Sequence, residues 1–220
     1  MSGIPPGSPP PTFGSRLPRA IAFGAAFLLL VVVALNTLRT PGTSSSGPAS
    51  GEPLPAFAAP LALSRLDGDV NVATGRDQGA AGTRPACELE GPDILTSCEL
   101  VRGRPAAIAF LAPGRERCED ELDALARAAR ATPQVRIAAV ALRGDRKALR
   151  ETIRRRGWDF PVAYDRDAIL ANLYGVAVCP QITFVLPGGR VHDTVVGEQD
   201  AAQLRARLAD LQAAARRAGA

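Results

Sequence analysis

Hydrophobic and polar positions divide the chain into one apolar run, two patternless stretches beside it, and a long periodic region. From Ala20 to Leu38 (AIAFGAAFLLLVVVALNTL) no residue is charged. At ~1.5 Å per residue a helix of that length just spans the ~30 Å hydrocarbon core of a bilayer, so the run predicts a transmembrane anchor. Residues 1–19 are rich in Pro, Gly and Ser and hold no acid, which predicts a disordered tail. Residues 39–55 are equally without periodicity and predict a flexible linker.

From 56 to 215 the elements alternate. Leu61 to Thr74 reads as a hairpin turning at Asp67-Gly68. The unbroken apolar run Ala106–Ala112 predicts a central strand covered on both faces. Leu122, Leu125, Ala126 and Ala129 recur at helical spacing within Cys118–Ala131. Val135–Leu142 predicts a second buried strand, and Asp145–Arg156 a helix with Leu149 and Ile153 inward. Phe160–Ala163 is a short strand, and Asp165 caps a helix running through Tyr174, which Gly175 stops. Ile182–Leu186 and Val191–Val196 form a hairpin around Pro187-Gly188-Gly189, and Asp200–Arg216 closes the chain as an amphipathic helix. This order, ββ then βαβαβα then ββα, predicts an α/β fold with a mixed central sheet flanked by helices.

Composition removes several classes of function. A 46% hydrophobic content excludes a disordered chain, and the periodic region is long enough for one core. The net charge of +4 is spread along the chain with 5% aromatics, which excludes a nucleic-acid surface. The arginines Arg16 and Arg19 before the apolar run, against Arg39 after it, place the N-terminal tail in the cytoplasm and the periodic region outside the membrane. A cleaved signal peptide is the rival, but Asn36, Leu38 and Arg39 stand where a small-x-small cleavage site belongs. Arg154 to Arg156 read as a solvated helix end.

The only histidine, His192, lies on a predicted hairpin strand and reads as a surface residue. With no close Cys-x-x-Cys pair beside it, no metal site and no cofactor are expected. Chemistry therefore falls to Cys87, Cys98, Cys118 and Cys179. Cys87 and Cys98 flank a Gly91-Pro92-Asp93 turn (CELEGPDILTSC), which suits a structural disulfide worth about 3 kcal/mol. The alternative is a resolving pair for Cys118. Cys118 itself falls in the first turn of a helix beside Arg115 and Arg117, which favours its thiolate, while Glu119, Asp120 and Glu121 oppose it. The bland alternative is that Cys118 is a small apolar residue and Cys179 a buried free thiol.

Two stretches carry a resemblance. Tyr174-Gly175-Val176-Ala177-Val178-Cys179-Pro180-Gln181-Ile182-Thr183-Phe184, followed by Pro187-Gly188-Gly189-Arg190-Val191, is one. Phe110-Leu111-Ala112-Pro113-Gly114-Arg115-Glu116-Arg117-Cys118 is the other. With the order of elements, they resemble the thioredoxin-like redoxins from Ala56 to Gln212, above all the membrane-anchored thiol-disulfide oxidoreductases of the TlpA/ResA type and the related AhpC/TSA peroxiredoxins. The resemblance implies that Pro180 is a cis-proline whose flanking backbone, with Val178, holds substrate. It also implies that Cys118 is the second cysteine of a Cys-x-x-Cys. Here the chain departs from the pattern, because Gly114 stands for the tryptophan and Arg115 for the first cysteine.

In that fold the loop of Cys179 faces the start of the helix carrying Cys118, so the implied pairing is 118–179 with 87–98. The implied activity is thiol-disulfide exchange on protein thiols or disulfides through Cys118, with Cys179 as its partner. Two alternatives stand beside it. In a peroxidase, peroxide would oxidise Cys118, Cys179 would resolve it, and Arg115 or Arg117 would stabilise the developing charge. In a lapsed redoxin fold, the domain would serve only as a binding module.

Overall fold

The computed structural model describes residues 23–33, 47–72, 84–89 and 91–219. The chain divides into two units, Met1–Gly42 and Thr43–Ala220. In the first, residues 23–33 are helical, and Phe23, Phe27, Leu28, Leu29 and Leu30 are exposed. Among the described residues no helix is long and apolar enough to cross a membrane. The predicted tail 1–19 and both ends of the run Ala20–Leu38 lie outside the described residues.

The second unit runs β1 (Ala58–Pro60), β2 (Ile94–Thr96), α1 (Ser97–Leu100), β3 (Ala106–Leu111), α2 (Glu116–Ala129), β4 (Arg136–Leu142), α3 (Arg146–Arg156), β5 (Val162–Asp165), α4 (Ile169–Leu173), β6 (Gln181–Val185), β7 (Val191–Val196) and α5 (Ala201–Arg217). A mixed sheet takes the order β5-β4-β3-β6-β7, with β3 parallel to β4 and antiparallel to β6.

Strand β3 is buried at all six positions because it is central and covered on both sides. Its alternate residues Ala107, Ala109 and Leu111 face a core completed by Leu122 and Leu125 of α2, Leu149 and Ile153 of α3, and Leu204 and Leu208 of α5. Ala106, Ile108 and Phe110 face the other core, with Phe57, Leu95, Leu100, Leu170 and Tyr174. The helices begin where side-chain acceptors were available. Asp145 accepts the Ala148 N–H ahead of α3, and Asp200 forms a capping box with Gln203 ahead of α5.

Two expectations change. The predicted hairpin at Leu61–Thr74 is absent among the described residues. Instead β1 pairs antiparallel with the distant β2, in register Ala58↔Thr96 and Pro60↔Ile94. Segment 61–66 is held by Arg146, whose guanidinium donates to the carbonyls of Leu61, Ala62, Ser64 and Leu66, and by Arg150, which donates to those of Ala62 and Ser64. Those arginines come from α3, so a local turn signal could not foretell them.

The end of the predicted flexible linker also differs, because residues 51–54 run along edge strand β7. Gly51 N–H donates to Val191 O at 2.8 Å, Val191 N–H to Glu52 O at 2.9 Å, and Leu54 N–H to Gly189 O at 2.7 Å. An open edge strand offers unpaired backbone groups, and this segment satisfies those of Val191. The other edge, β5, is met by Leu61 and Ala62, with Ala62 N–H donating to Val162 O at 2.7 Å.

Candidate active site

The turn from β3 into α2 is tight. Gly114 takes a left-handed φ of 78°, and its N–H donates to Glu119 Oε1 at 3.1 Å. Arg115 occupies the N-cap position without a side-chain capping bond, and its carbonyl accepts the N–H groups of Cys118 and Glu119. Cys118 is thus the third residue of α2, with its side chain turned under the helix and 5% exposed. The side chains of Arg115 and Arg117 are exposed, and Arg117 reaches Glu198 at 3.5 Å in solvent.

The facing loop is held from α4. Tyr174 is buried against Phe57 and Phe110, and its hydroxyl donates to Pro55 O at 2.6 Å. Burial pushes its pKa above the ordinary phenol value. From that anchor the chain passes through Gly175 to Val178, which is 52% exposed, then to a half-buried Cys179 and a buried Pro180. The Cys179–Pro180 peptide is cis. Cys118 and Cys179 form a disulfide with Cα atoms 5.7 Å apart across a sequence separation of 61. Cys87 and Cys98 form the second, with Cα atoms 5.6 Å apart. Both spacings lie within the range a disulfide requires.

The Pro180 backbone is less open than the resemblance implies. Its carbonyl accepts the Gly197 N–H at 2.8 Å, from the loop that follows β7. Among the described residues, no hydrogen bond reaches the backbone of Val178, which leaves that residue as the open edge beside the disulfide.

Two of the acids that oppose the Cys118 thiolate, Glu119 and Glu121, are buried structural groups. Glu119 is 4% exposed and pairs with Arg156 Nε at 3.1 Å. Arg156 also reaches Asp120 and Asp123 at 2.7 Å each, and Trp158 Nε1 donates to Asp123. The hydrogen bond to Asp120, then that to Asp123, holds the guanidinium charged beyond its ordinary range. So the predicted solvated helix end Arg154–Arg156 is solvated only at Arg154 and Arg155, since α3 packs its last turn against α2. Glu121 is buried as well, accepts the Gln199 N–H at 2.9 Å, and has its pKa raised by desolvation. Their separation in sequence from Arg156 and Gln199 hid both partnerships. His192 is likewise partnered, its Nε2 lying 2.7 Å from Asp210 Oδ2 between β7 and α5.

No protein-family model matches the sequence, and no curated protein matches it. Solved structures do match. A protein from Chlorobium tepidum assigned as a thiol:disulfide interchange protein DsbE is 18% identical, with a TM-score of 0.55 over 76% of this chain and 97% of its own. The thioredoxin domain of a Bacteroides vulgatus thiol-disulfide oxidoreductase is 14% identical, with a TM-score of 0.52 over 74% of this chain and 97% of its own. A Bacteroides fragilis thiol-disulfide oxidoreductase is 17% identical, with a TM-score of 0.51 over 73% of this chain and 99% of its own. At these identities the likeness is one of architecture. The unit from 43 onward has the thioredoxin-like fold.

Proposed function

We propose that this chain is a membrane-anchored thiol-disulfide oxidoreductase whose exchanging pair is Cys118 and Cys179. The observation that carries the reading is the disulfide between the start of α2 and the proline loop, which replaces the missing Cys-x-x-Cys with a pair split between a helix and a loop. Burial supports Cys179 as the sulfur that is attacked and Cys118 as the one that leaves. The half-buried Cys179 sits beside the exposed Val178, whereas Cys118 is only 5% exposed. An incoming protein thiolate attacks Cys179, and Cys118 departs as a thiolate in the first turn of a 14-residue helix, where the helix dipole favours negative charge. The second thiol of the partner then resolves the mixed disulfide, leaving the partner oxidised and the Cys118–Cys179 pair reduced. The reverse sequence reduces a partner disulfide. Val178 offers the backbone edge along which the partner lies. The low exposure of Cys118 also favours exchange over the peroxidase reading, in which peroxide must reach that sulfur.

The anchor is the uncharged run Ala20–Leu38, with residues 1–19 in the cytoplasm and the redoxin unit outside, where disulfides persist. The deciding experiment is insulin reduction with the purified protein and dithiothreitol. Cys118→Ser should accumulate a mixed disulfide through Cys179, and Cys179→Ser should be inactive. Activity that survives in both variants would overturn the assignment. Silence of the wild type in this assay and towards hydrogen peroxide would leave the binding module.

A further inference from the structure

The second disulfide lies at the other end of the central strand. Cys118 follows the C-terminal end of β3, whereas α1, which carries Cys98, precedes its N-terminal end. There the Gly188 N–H donates to Val101 O at 3.0 Å and brings the β6–β7 turn against α1. Between them and the covering segment opens a groove of about 490 Å³, lined by both cysteines, Ser97, Leu54, Val101 and Gly188. That volume lies within the range of small-molecule sites.

Accessibility at this groove runs opposite to that expected of a structural bond. Cys87 is exposed and Cys98 half-buried, while Cys118 in the other disulfide is buried. The two sulfurs also differ in their neighbours. Ser97 Oγ lies 3.9 Å from Cys98 Sγ. The same oxygen accepts the Phe57 N–H at 3.0 Å, and it lies 3.5 Å from Phe57 O, the outer limit for a bond. A hydroxyl has one proton to give, and so weak a hold on the carbonyl lets it turn to a thiolate on Cys98.

We propose that Cys87–Cys98 is a second thiol-disulfide exchange site, at which a low-molecular-weight thiol enters the groove, attacks Cys87 and expels Cys98. In the first step the entering thiolate bonds to Cys87 Sγ, the bond to Cys98 breaks, and Cys98 leaves as a thiolate that the Ser97 hydroxyl stabilises. A second molecule of the same thiol then attacks the first one's sulfur and releases Cys87. Two thiols are oxidised to one small disulfide, the cysteine pair gains two electrons and two protons, and no further reactant is needed. The step is independent of Cys118 and Cys179.

The test treats the oxidised full-length protein in detergent with graded reduced glutathione. Samples are then quenched with acid, alkylated and peptide-mapped. The expected product carries glutathione on Cys87 and the alkyl label on Cys98, with Cys118–Cys179 still closed. The double variant Cys118→Ser/Cys179→Ser should give the same adduct, so failure of the proposed activity at Cys118–Cys179 leaves this result unaffected. Ser97→Ala should slow the opening of Cys87–Cys98 about fivefold, the rate equivalent of one lost hydrogen bond, without changing the other pair. Glutathione on Cys98, opening of Cys118–Cys179 before Cys87–Cys98, or opening by a reduced protein dithiol but not by glutathione would each overturn the proposal. The wild-type map decides alone should a variant fail to fold.

Discussion

Glu119 joins two elements that flank the disulfide: one carboxylate oxygen accepts the Gly114 N–H at 3.1 Å, and the other lies 3.1 Å from Arg156 Nε. A buried carboxylate thus fixes the turn ahead of Cys118 while α3 neutralises it. Removing the guanidinium strands that charge, together with Asp123. Arg156→Ala should destabilise the protein by about 3 kcal/mol, measured by urea unfolding. It should also raise hydrogen-exchange rates at Gly114 and Arg115. A loss below about 0.5 kcal/mol would mean that water replaces the pair without cost.

Asp165 should make stability depend on pH with an unusual sign. Its carboxylate is fully buried at the end of β5 and accepts the N–H groups of Ile169 and Leu170. Desolvation nevertheless wins and raises its pKa from 3.8 to about 6, with the nearby Asp69 adding to the rise. The folded state therefore binds this proton more tightly than the unfolded chain, and the residue's contribution to stability grows as pH falls from about 6 towards 4. Asp165→Asn should remove that gain. The stability difference between wild type and variant should shift in favour of the wild type by roughly 2 kcal/mol across the window. A difference that stays constant with pH would show that Asp165 remains ionised.

The Tyr174 hydroxyl ties the proline loop to the segment entering the fold at Pro55. Tyr174→Phe keeps the ring packing on Phe57 and Phe110 and removes only that bond. The expected loss is about 1 kcal/mol, with faster alkylation of the reduced Cys179 as its anchor loosens. Unchanged stability and reactivity would mean that the two rings alone hold the loop.

Deleting residues 20–38 should move the protein from the membrane pellet to the supernatant, with insulin reduction retained. Protease added to intact spheroplasts should release the unit from residue 43 onward from the full-length protein. A unit that stays protected until lysis would reverse the proposed orientation.

Residue patterns disclosed much of this architecture. The run Ala106–Ala112 announced a strand buried on both faces, and Leu122 with Leu125, like Leu204 with Leu208, announced the faces of α2 and α5. Asp145 and Asp200 marked helix starts. Such signals are legible because hydrophobic period and capping act over a few residues. The Tyr174–Val191 stretch also carried the resemblance that implied a cis-proline at Pro180 beside Cys179.

What only the tertiary structure decided is which distant groups meet and which lose water. β1 found β2 rather than a neighbouring turn, and residues 51–54 covered the β7 edge, because unpaired backbone is satisfied by whatever strand the fold brings close. Glu119 and Arg156 could each be read alone as surface charges, and only the packing of α2 on α3 makes them a buried pair. The same holds for the cysteines. Their number and spacing restrict the chemistry to sulfur, but exposure depends on three-dimensional packing, and it leaves Cys87 and Cys179 more open than Cys118.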